Sequence, residues 1–292
     1  MRDFSQDHRW LSINTATIRK SKGVELPLPQ IIEACVERDI RAISPWRDQV
    51  AAAGLPLISR LVKQHGLELS GYCRGGMFTA TDAGGLQAAH DDNRRAVDEA
   101  RELNAKCLVL VVGALPGALA GKAAHKNLAL ARDQVTDGIA QLLEYARSAE
   151  MPLAIEPLHP MYAADRACIN TMEQALDVCD DLDPGKTGAL GVAVDVYHVW
   201  WDPKLQAQIE RAGKERLLAF HVCDWLTPTT DMLNDRGMMG DGVIYIPQIR
   251  RWVEAQGFAG YSEVEIFSAA NWWQQEHGET LDTCIQRHRS AV

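Results

Sequence analysis

Short apolar runs alternate with longer amphipathic segments along the whole chain. The runs are rich in β-branched residues and are typical of buried strands. We count eight of them: Trp10–Ile18, Arg41–Trp46, Leu67–Cys73, Lys106–Gly113, Leu153–Leu158, Ala189–Asp195, Leu217–Asp224 and Tyr261–Phe267. Strands that alternate with helices are expected to pair in parallel, because a parallel connection needs a crossover.

The segments between the runs repeat their apolar residues at every third or fourth position, which predicts amphipathic helices. Leu128, Ala131, Val135 and Ile139 show this spacing clearly. The clearest predicted helices are Gln30–Arg38, Leu86–Leu103, Asn127–Ser148, Met172–Asp180 and Pro247–Ala255.

Eight strand–helix units in one undivided chain predict an α/β fold, a closed (β/α)8 TIM barrel. The sequence contains no charge run, long linker or low-complexity stretch, so we expect residues 1–292 to form a single catalytic domain. An open, doubly wound sheet is the alternative. Its usual nucleotide-binding signatures, GxGxxG and the P-loop, are absent from the sequence.

Composition and charge narrow the classes of partner. The 292 residues are 47% hydrophobic and 24% charged, as in an ordinary globular protein, and the formal net charge is −9. This charge argues against a nucleic-acid partner, which would require clustered Lys and Arg. No apolar stretch approaches the roughly 18 residues of a membrane span.

The N-terminus and the cysteines predict a cytoplasmic protein. Residues 1–7 contain no apolar region of the kind found in secretory signals. The seven cysteines are odd in number, widely spread and without a CxxC pair, which argues against disulfides and against a cysteine zinc site.

The last four predicted strands end in residues of the types that bind metals. These residues are Glu156, Asp195, His221 and Glu265. In a parallel barrel, functional groups lie at the C-terminal ends of the strands. We therefore expect the four side chains to converge on one rim.

Alternation along the strands predicts that these side chains point inward. Phe220 and Val222 share the apolar face of the seventh strand, and His221 takes the other face. Glu263 and Glu265 share a face of the eighth strand, so alternation alone does not choose between them. An inward carboxylate is costly unless it is paired or bound to a metal.

The predicted cofactor is therefore one divalent metal ion. Three carboxylates and one imidazole are mostly hard donors, which suit Mn²⁺ first and also Mg²⁺ or Co²⁺. Zn²⁺ is also compatible, although no thiolate selects it.

Several motifs resemble those of the sugar phosphate isomerase/epimerase family, whose members have a xylose-isomerase-like TIM barrel. They are Glu156-Pro157-Leu158-His159-Pro160, Asp195-x-x-His198, the strand around His221, Arg236 before the segment 237–242, and 257–260 leading into Val264-Glu265-Ile266-Phe267. The resemblance implies that Glu156, Asp195, His221 and Glu265 are the metal ligands and that His198 and Arg236 contact substrate. It also favours Glu265 over Glu263, which then becomes a buried, hydrogen-bonded group behind the ligands.

Two features depart from the best-known members. His159 follows the first ligand by three residues, where an imidazole is suited to proton abstraction; the alternative is a rim histidine bonded to a backbone carbonyl. The segment Asn271-Trp272-Trp273, together with Glu265-Ile266-Phe267, resembles the branch that contains the large subunits of C-glycoside deglycosidases.

Tryptophans follow the sixth and eighth strands. They are Trp200, Trp201, Trp272 and Trp273. Because aromatic faces pack well against sugar C–H surfaces, we predict that Trp200 and Trp272 contact substrate. Packing under loops or between protomers is the alternative.

The predicted function is a metal-dependent isomerase or epimerase of a sugar or keto-sugar. Glu156, Glu265 or His159 would remove a proton beside a carbonyl to form an enediolate. The alternative is a 3-keto-glycoside lyase or C-glycoside deglycosidase subunit with His159 as base, which would need a small second subunit; otherwise we expect a homo-oligomer. A metal-dependent endonuclease and a non-catalytic carbohydrate-binding protein are weaker alternatives.

Overall fold

A computed structural model describes residues 2–292. Its main sheet contains nine parallel strands: Leu11–Asn14, Ala42–Ser44, Glu68–Leu69, Tyr72–Gly75, Leu108–Val111, Leu153–Glu156, Leu190–Asp195, Leu217–Val222 and Ser262–Val264. The first of these strands pairs with the last, in register Leu11 to Ser262. This pairing is the closure of a barrel, so the predicted TIM barrel is confirmed and the open-sheet alternative is wrong.

Nine strands build an eight-stranded barrel because the third barrel strand is broken in two. Its first half, Glu68–Leu69, pairs with the second strand, and its second half, Tyr72–Gly75, pairs with the fourth. Backbone bonds bridge the break: the Ser70 N–H donates to the Ile43 carbonyl, and the Cys73 N–H donates to the Pro45 carbonyl, each at 3.0 Å. The barrel is therefore closed except at this break in the third strand.

Helices connect the strands and cover the outside of the barrel. They are Leu28–Val36, Arg47–Ala53, Leu55–His65, Ala83–Glu102, Leu128–Ser148, Met172–Leu182, Val196–Val199, Leu205–Arg216, Ile246–Ala255 and His277–Ala291. The five predicted helices are confirmed to within a few residues. Asp82, Asn127 and Thr171 cap three of the helices by accepting a backbone N–H, which explains where those helices begin.

Several strands end earlier than predicted. The eighth strand ends at Val264, so Glu265 lies one residue beyond it. The seventh ends at Val222, and the following pair Asp224–Trp225 forms a small antiparallel ladder with Arg236–Gly237. A second small ladder joins Lys20–Ser21 to Val24–Glu25, and 3-10 turns occupy Ala118–Ala120, Pro160–Tyr162 and Trp272–Gln274.

The core has two layers. Bulky side chains on the outer strand faces pack against the helices in one large cluster, which includes Phe220 and Val222. A smaller cluster contains Cys73, Cys107, Val109, Ala154, Ala193 and Ala219. All seven cysteines are buried free thiols. Within residues 2–292, no helix has both the length and the apolar content that crossing a membrane requires.

Candidate metal centre

The four predicted ligands meet at the C-terminal end of the barrel. Glu156 and Asp195 are the last residues of their strands, His221 is the last but one of its strand, and Glu265 follows the eighth strand. One possible ligand atom from each of the four lies within 4.8 Å of the others, and all four residues are buried. Strands that are far apart in sequence therefore build one cluster.

Carboxylates surround the imidazole of His221. Its Nδ1 lies 2.9 Å from Oε1 of Glu156 and 3.8 Å from Oε2 of Glu265. Burial by itself disfavours the charged ring, but Glu263, Glu156 and Glu265 raise the pKa of His221 well above its ordinary value. The cluster has an excess of negative charge in a water-poor site.

The guanidinium of Arg236 compensates part of this negative charge. Nη1 of Arg236 donates to Oδ2 of Asp195 and to Oε2 of Glu265, each at 3.1 Å. Burial nevertheless raises the pKa of Asp195 to about 6 and also raises that of Glu265, with Arg236 opposing both shifts. Three buried carboxylates face one arginine, so this donor set fits a divalent cation.

Glu263 lies on the other side of the His221 ring. Its carboxylate accepts hydrogen bonds from Nδ2 of Asn14 at 2.8 Å and from Oγ of Ser70 at 2.7 Å. Its Oε1 also lies 3.5 Å from Nε2 of His221. The imidazole of His221, itself a predicted ligand, therefore lies between Glu263 and the carboxylates of Glu156 and Glu265.

His198 lies beside the cluster and is buried. Its Nδ1 accepts the backbone N–H of His159 at 3.2 Å, and Nε2 lies 3.1 Å from Nη2 of Arg236 and 3.6 Å from Oδ2 of Asp195. Burial and the charge of Arg236 lower the pKa of His198 well below its ordinary value. Both ring nitrogens therefore face N–H donors, and a neutral ring can accept from only one of them, because its other nitrogen carries the proton.

A cavity opens over the cluster. Glu156, Glu265, His198 and Arg236 line it, so it brings together both proposed proton-transfer carboxylates and both predicted substrate-contacting groups.

Ten further residues line the cavity, and none of them was a predicted site residue. They are Trp46, Cys73, Arg74, Val109, Val111, Leu158, Tyr162, Arg166, Leu233 and Phe267. Trp46 and Arg74 lie at the ends of the second and third strands. Their position at the C-terminal ends of barrel strands could have identified them as candidate site residues. Arg166 lies in a loop and carried no such signal.

His159 has a different environment. Its ring stacks on Trp225 at a centroid distance of 5.1 Å and meets Trp201 edge-on at 5.6 Å. Its Nδ1 accepts the backbone N–H of Met161. His159 is not among the residues that line the cavity, and burial lowers its pKa. Its assignment as a catalytic base stays a prediction.

Trp200 and Trp272 also lie outside the cavity lining. Trp200 packs against Trp225 at 5.9 Å, and Trp272 packs at the margin of the main core. Both are partly buried. Their contact with substrate stays a prediction, as does the alternative of packing under loops or between protomers.

Comparison with known proteins supports the barrel fold. A family model described as xylose isomerase-like TIM barrel matches residues 30–284. A crystal structure of the protein SMc04130 from Sinorhizobium meliloti 1021 is 57% identical, with a TM-score of 0.90, over 97% of this chain and 98% of that one. None of the curated proteins compared with the chain matches it.

More distant structures share the fold. The IolI protein, whose structure contains a bound zinc atom, is 16% identical with a TM-score of 0.78, over 94% of this chain and 95% of its own. The 3-keto-D-glucoside 4-epimerase YcjR from E. coli is 15% identical with a TM-score of 0.71, over 95% of this chain and 99% of its own.

Proposed function

Because the chain belongs to the xylose isomerase-like TIM barrel family, we propose that it is a divalent-metal-dependent isomerase or epimerase acting on a sugar or keto-sugar. One observation carries the proposal: three buried carboxylates and an imidazole converge beside a cavity, and Arg236 pairs with two of the carboxylates, Asp195 and Glu265. Residues 1–292 would form its single catalytic domain.

Glu156, Asp195, His221 and Glu265 would hold the ion. When bound, a divalent ion supplies Lewis-acid chemistry, which acidifies a C–H beside a carbonyl. The mostly hard donor set favours Mn²⁺, with Mg²⁺ and Co²⁺ as alternatives. The zinc in the IolI structure keeps Zn²⁺ among the candidates.

The chain's own residues would move the proton. Glu156 and Glu265 both face the cavity, so a carboxylate oxygen of either can accept a proton from the substrate carbon. Return of the proton to the opposite face of the same carbon gives an epimer, and return to the neighbouring carbon gives an isomer. Nε2 of His198 and the guanidinium of Arg236 would orient substrate oxygens from the same wall.

Solvent exchange tests this proposal. We would incubate the Mn²⁺-loaded protein in D₂O with a panel of ketoses and 3-keto-glycosides and follow the protons beside the carbonyl by NMR. At least one substrate should incorporate deuterium at that carbon, and Glu156→Gln or Glu265→Gln should slow the incorporation by about 100-fold or more. Cleavage of a substituent without exchange or epimer formation would instead identify a lyase.

A further inference from the structure

Two arginines outside the metal cluster line the same cavity. Arg74 lies in the third barrel strand, where the pairing with the fourth strand shifts register between Cys73 and Gly75. Such irregularities re-aim a side chain relative to a regular strand. Arg166 approaches from the loop after the fifth strand, with its guanidinium 5.8 Å from the centre of the Tyr162 ring.

Neither guanidinium has an anionic partner within the part of the chain that the structure describes, residues 2–292. No carboxylate lies within ion-pair distance of either one, and neither side chain makes a hydrogen bond to protein. By contrast, the partly buried Arg47 forms ion pairs with both Asp92 and Glu99. Arg74 is mostly enclosed, and burial together with the charge of Arg166 lowers its pKa.

No nitrogen of either guanidinium is among the buried atoms that lack a partner, so both groups reach the open space of the cavity and are free to bind a ligand there. A bound divalent ion together with Arg236 would balance the carboxylates of Glu156, Asp195 and Glu265, so the cluster would not require the charges of Arg74 and Arg166. Glu263 is not among the lining residues and is held by Asn14 and Ser70. A neutral sugar would leave two positive charges uncompensated.

We infer that the substrate carries an anionic group, a carboxylate or a phosphate, and that Arg74 and Arg166 bind it. Guanidinium groups suit both anions because they can donate two parallel hydrogen bonds to either. This inference rests on the proposed function only in taking the rest of the ligand to be a sugar. It narrows the substrate class to acidic sugars or sugar phosphates.

Binding of matched sugar pairs tests the inference without turnover. The probes are D-fructose with D-fructose 6-phosphate and D-glucose with D-glucuronate, titrated into the Mn²⁺-loaded protein by calorimetry. We expect wild type to bind at least one anionic member about 10-fold or more tightly than its neutral partner. The phosphate and carboxylate pairs distinguish the two sources of the anion.

Substitution of the arginines should remove this preference. Arg74→Gln and Arg166→Gln should each lower the preference for the anionic member about 10-fold, because binding of the anionic member should weaken more than binding of the neutral member. Arg94→Gln is the matched control, because Arg94 is exposed and its guanidinium lies over the ring of Tyr145 on the outer surface. Thermal melts would verify that each variant is folded.

Two results would overturn the inference. One is wild-type binding that does not discriminate anionic from neutral sugars, including no binding of any of the four. The other is a preference for the anion that survives both substitutions. Deuterium exchange into neutral keto-sugars without anion preference would leave the proposed function standing, whereas anion preference without exchange on any substrate would count against the proposed function alone.

Discussion

Nε2 of His221 lies 3.5 Å from Oε1 of Glu263, on the side of the ring opposite the ligand cluster. The other ring nitrogen, Nδ1, lies 2.9 Å from Glu156. An imidazole that binds a metal through one nitrogen usually donates the other N–H to a carboxylate. At 3.5 Å the contact with Glu263 falls short of a hydrogen bond, and we predict that it closes when the ion is bound, with Glu263 orienting the ring and Glu265 acting as a ligand.

Paired substitutions at the end of the eighth strand test this assignment. Glu265→Gln removes a charged donor of the cluster and should weaken metal affinity more than Glu263→Gln. The second change should cost about 10- to 100-fold, the usual effect of losing a group that orients a ligand. Competition between each metal-stripped variant and a chelator measures both affinities. The reverse order would identify Glu263 as the ligand.

Metal content tests the cluster as a whole. Protein purified without chelator should contain about one divalent ion per chain, and Asp195→Ala or His221→Ala should reduce this towards zero. Asp133→Ala is a matched control, because Asp133 is exposed on the helix Leu128–Ser148. Mass spectrometry of the metals gives the stoichiometry. Full activity in EDTA would contradict a metal-dependent reaction.

His159 offers a test between the two predicted reactions. Its ring packs between Trp201 and Trp225. Its backbone N–H donates a hydrogen bond to Nδ1 of His198, and substitution of the side chain preserves that N–H. We expect His159→Ala to slow deuterium exchange by less than about 10-fold, below a general-base contribution of about 100-fold or more. His159→Phe, which keeps an aromatic ring between the tryptophans, is the control. A loss of about 100-fold in both variants with metal retained would identify His159 as the base and support the lyase.

Acid stability should depend on His288, far from the metal cluster. Its ring stacks on Phe4 at 4.4 Å, and neither ring nitrogen has a hydrogen-bond partner within residues 2–292. Burial, reinforced by Arg250, lowers the pKa of His288 from 6.5 to about 3. Between these values the unfolded chain binds more protons, so this residue costs stability as the pH falls below 6.5.

The expected size of this effect is about 2 kcal/mol of unfolding free energy between about pH 7 and pH 5. His288→Phe, or His288→Leu if the larger ring does not fit, removes this titration. Between the two pH values the variant should therefore lose about 2 kcal/mol less unfolding free energy than wild type loses. Urea unfolding at both pH values measures the difference. Equal losses in wild type and variant would show that His288 does not titrate on unfolding.

Local sequence patterns by themselves determine much of this protein. Strand–helix alternation predicts the barrel, because parallel strands need crossovers. Residue type at four strand ends predicts the cluster, since alternation turns Asp195 and His221 inward whatever their distant neighbours are. The structure brings these residues together with Glu156 and Glu265 as expected.

Depth in the barrel and the course of the loops were decided only by the tertiary structure. Glu263 and Glu265 share a face, so alternation could not rank them; the imidazole of His221 separates them in space. Neither the break in the third strand nor the meeting of Arg74 and Arg166 at one cavity has a local signature. His159 likewise turns towards tryptophans that are distant in sequence. Periodicity sets the direction of a side chain, whereas its neighbours depend on contacts between distant segments of the chain.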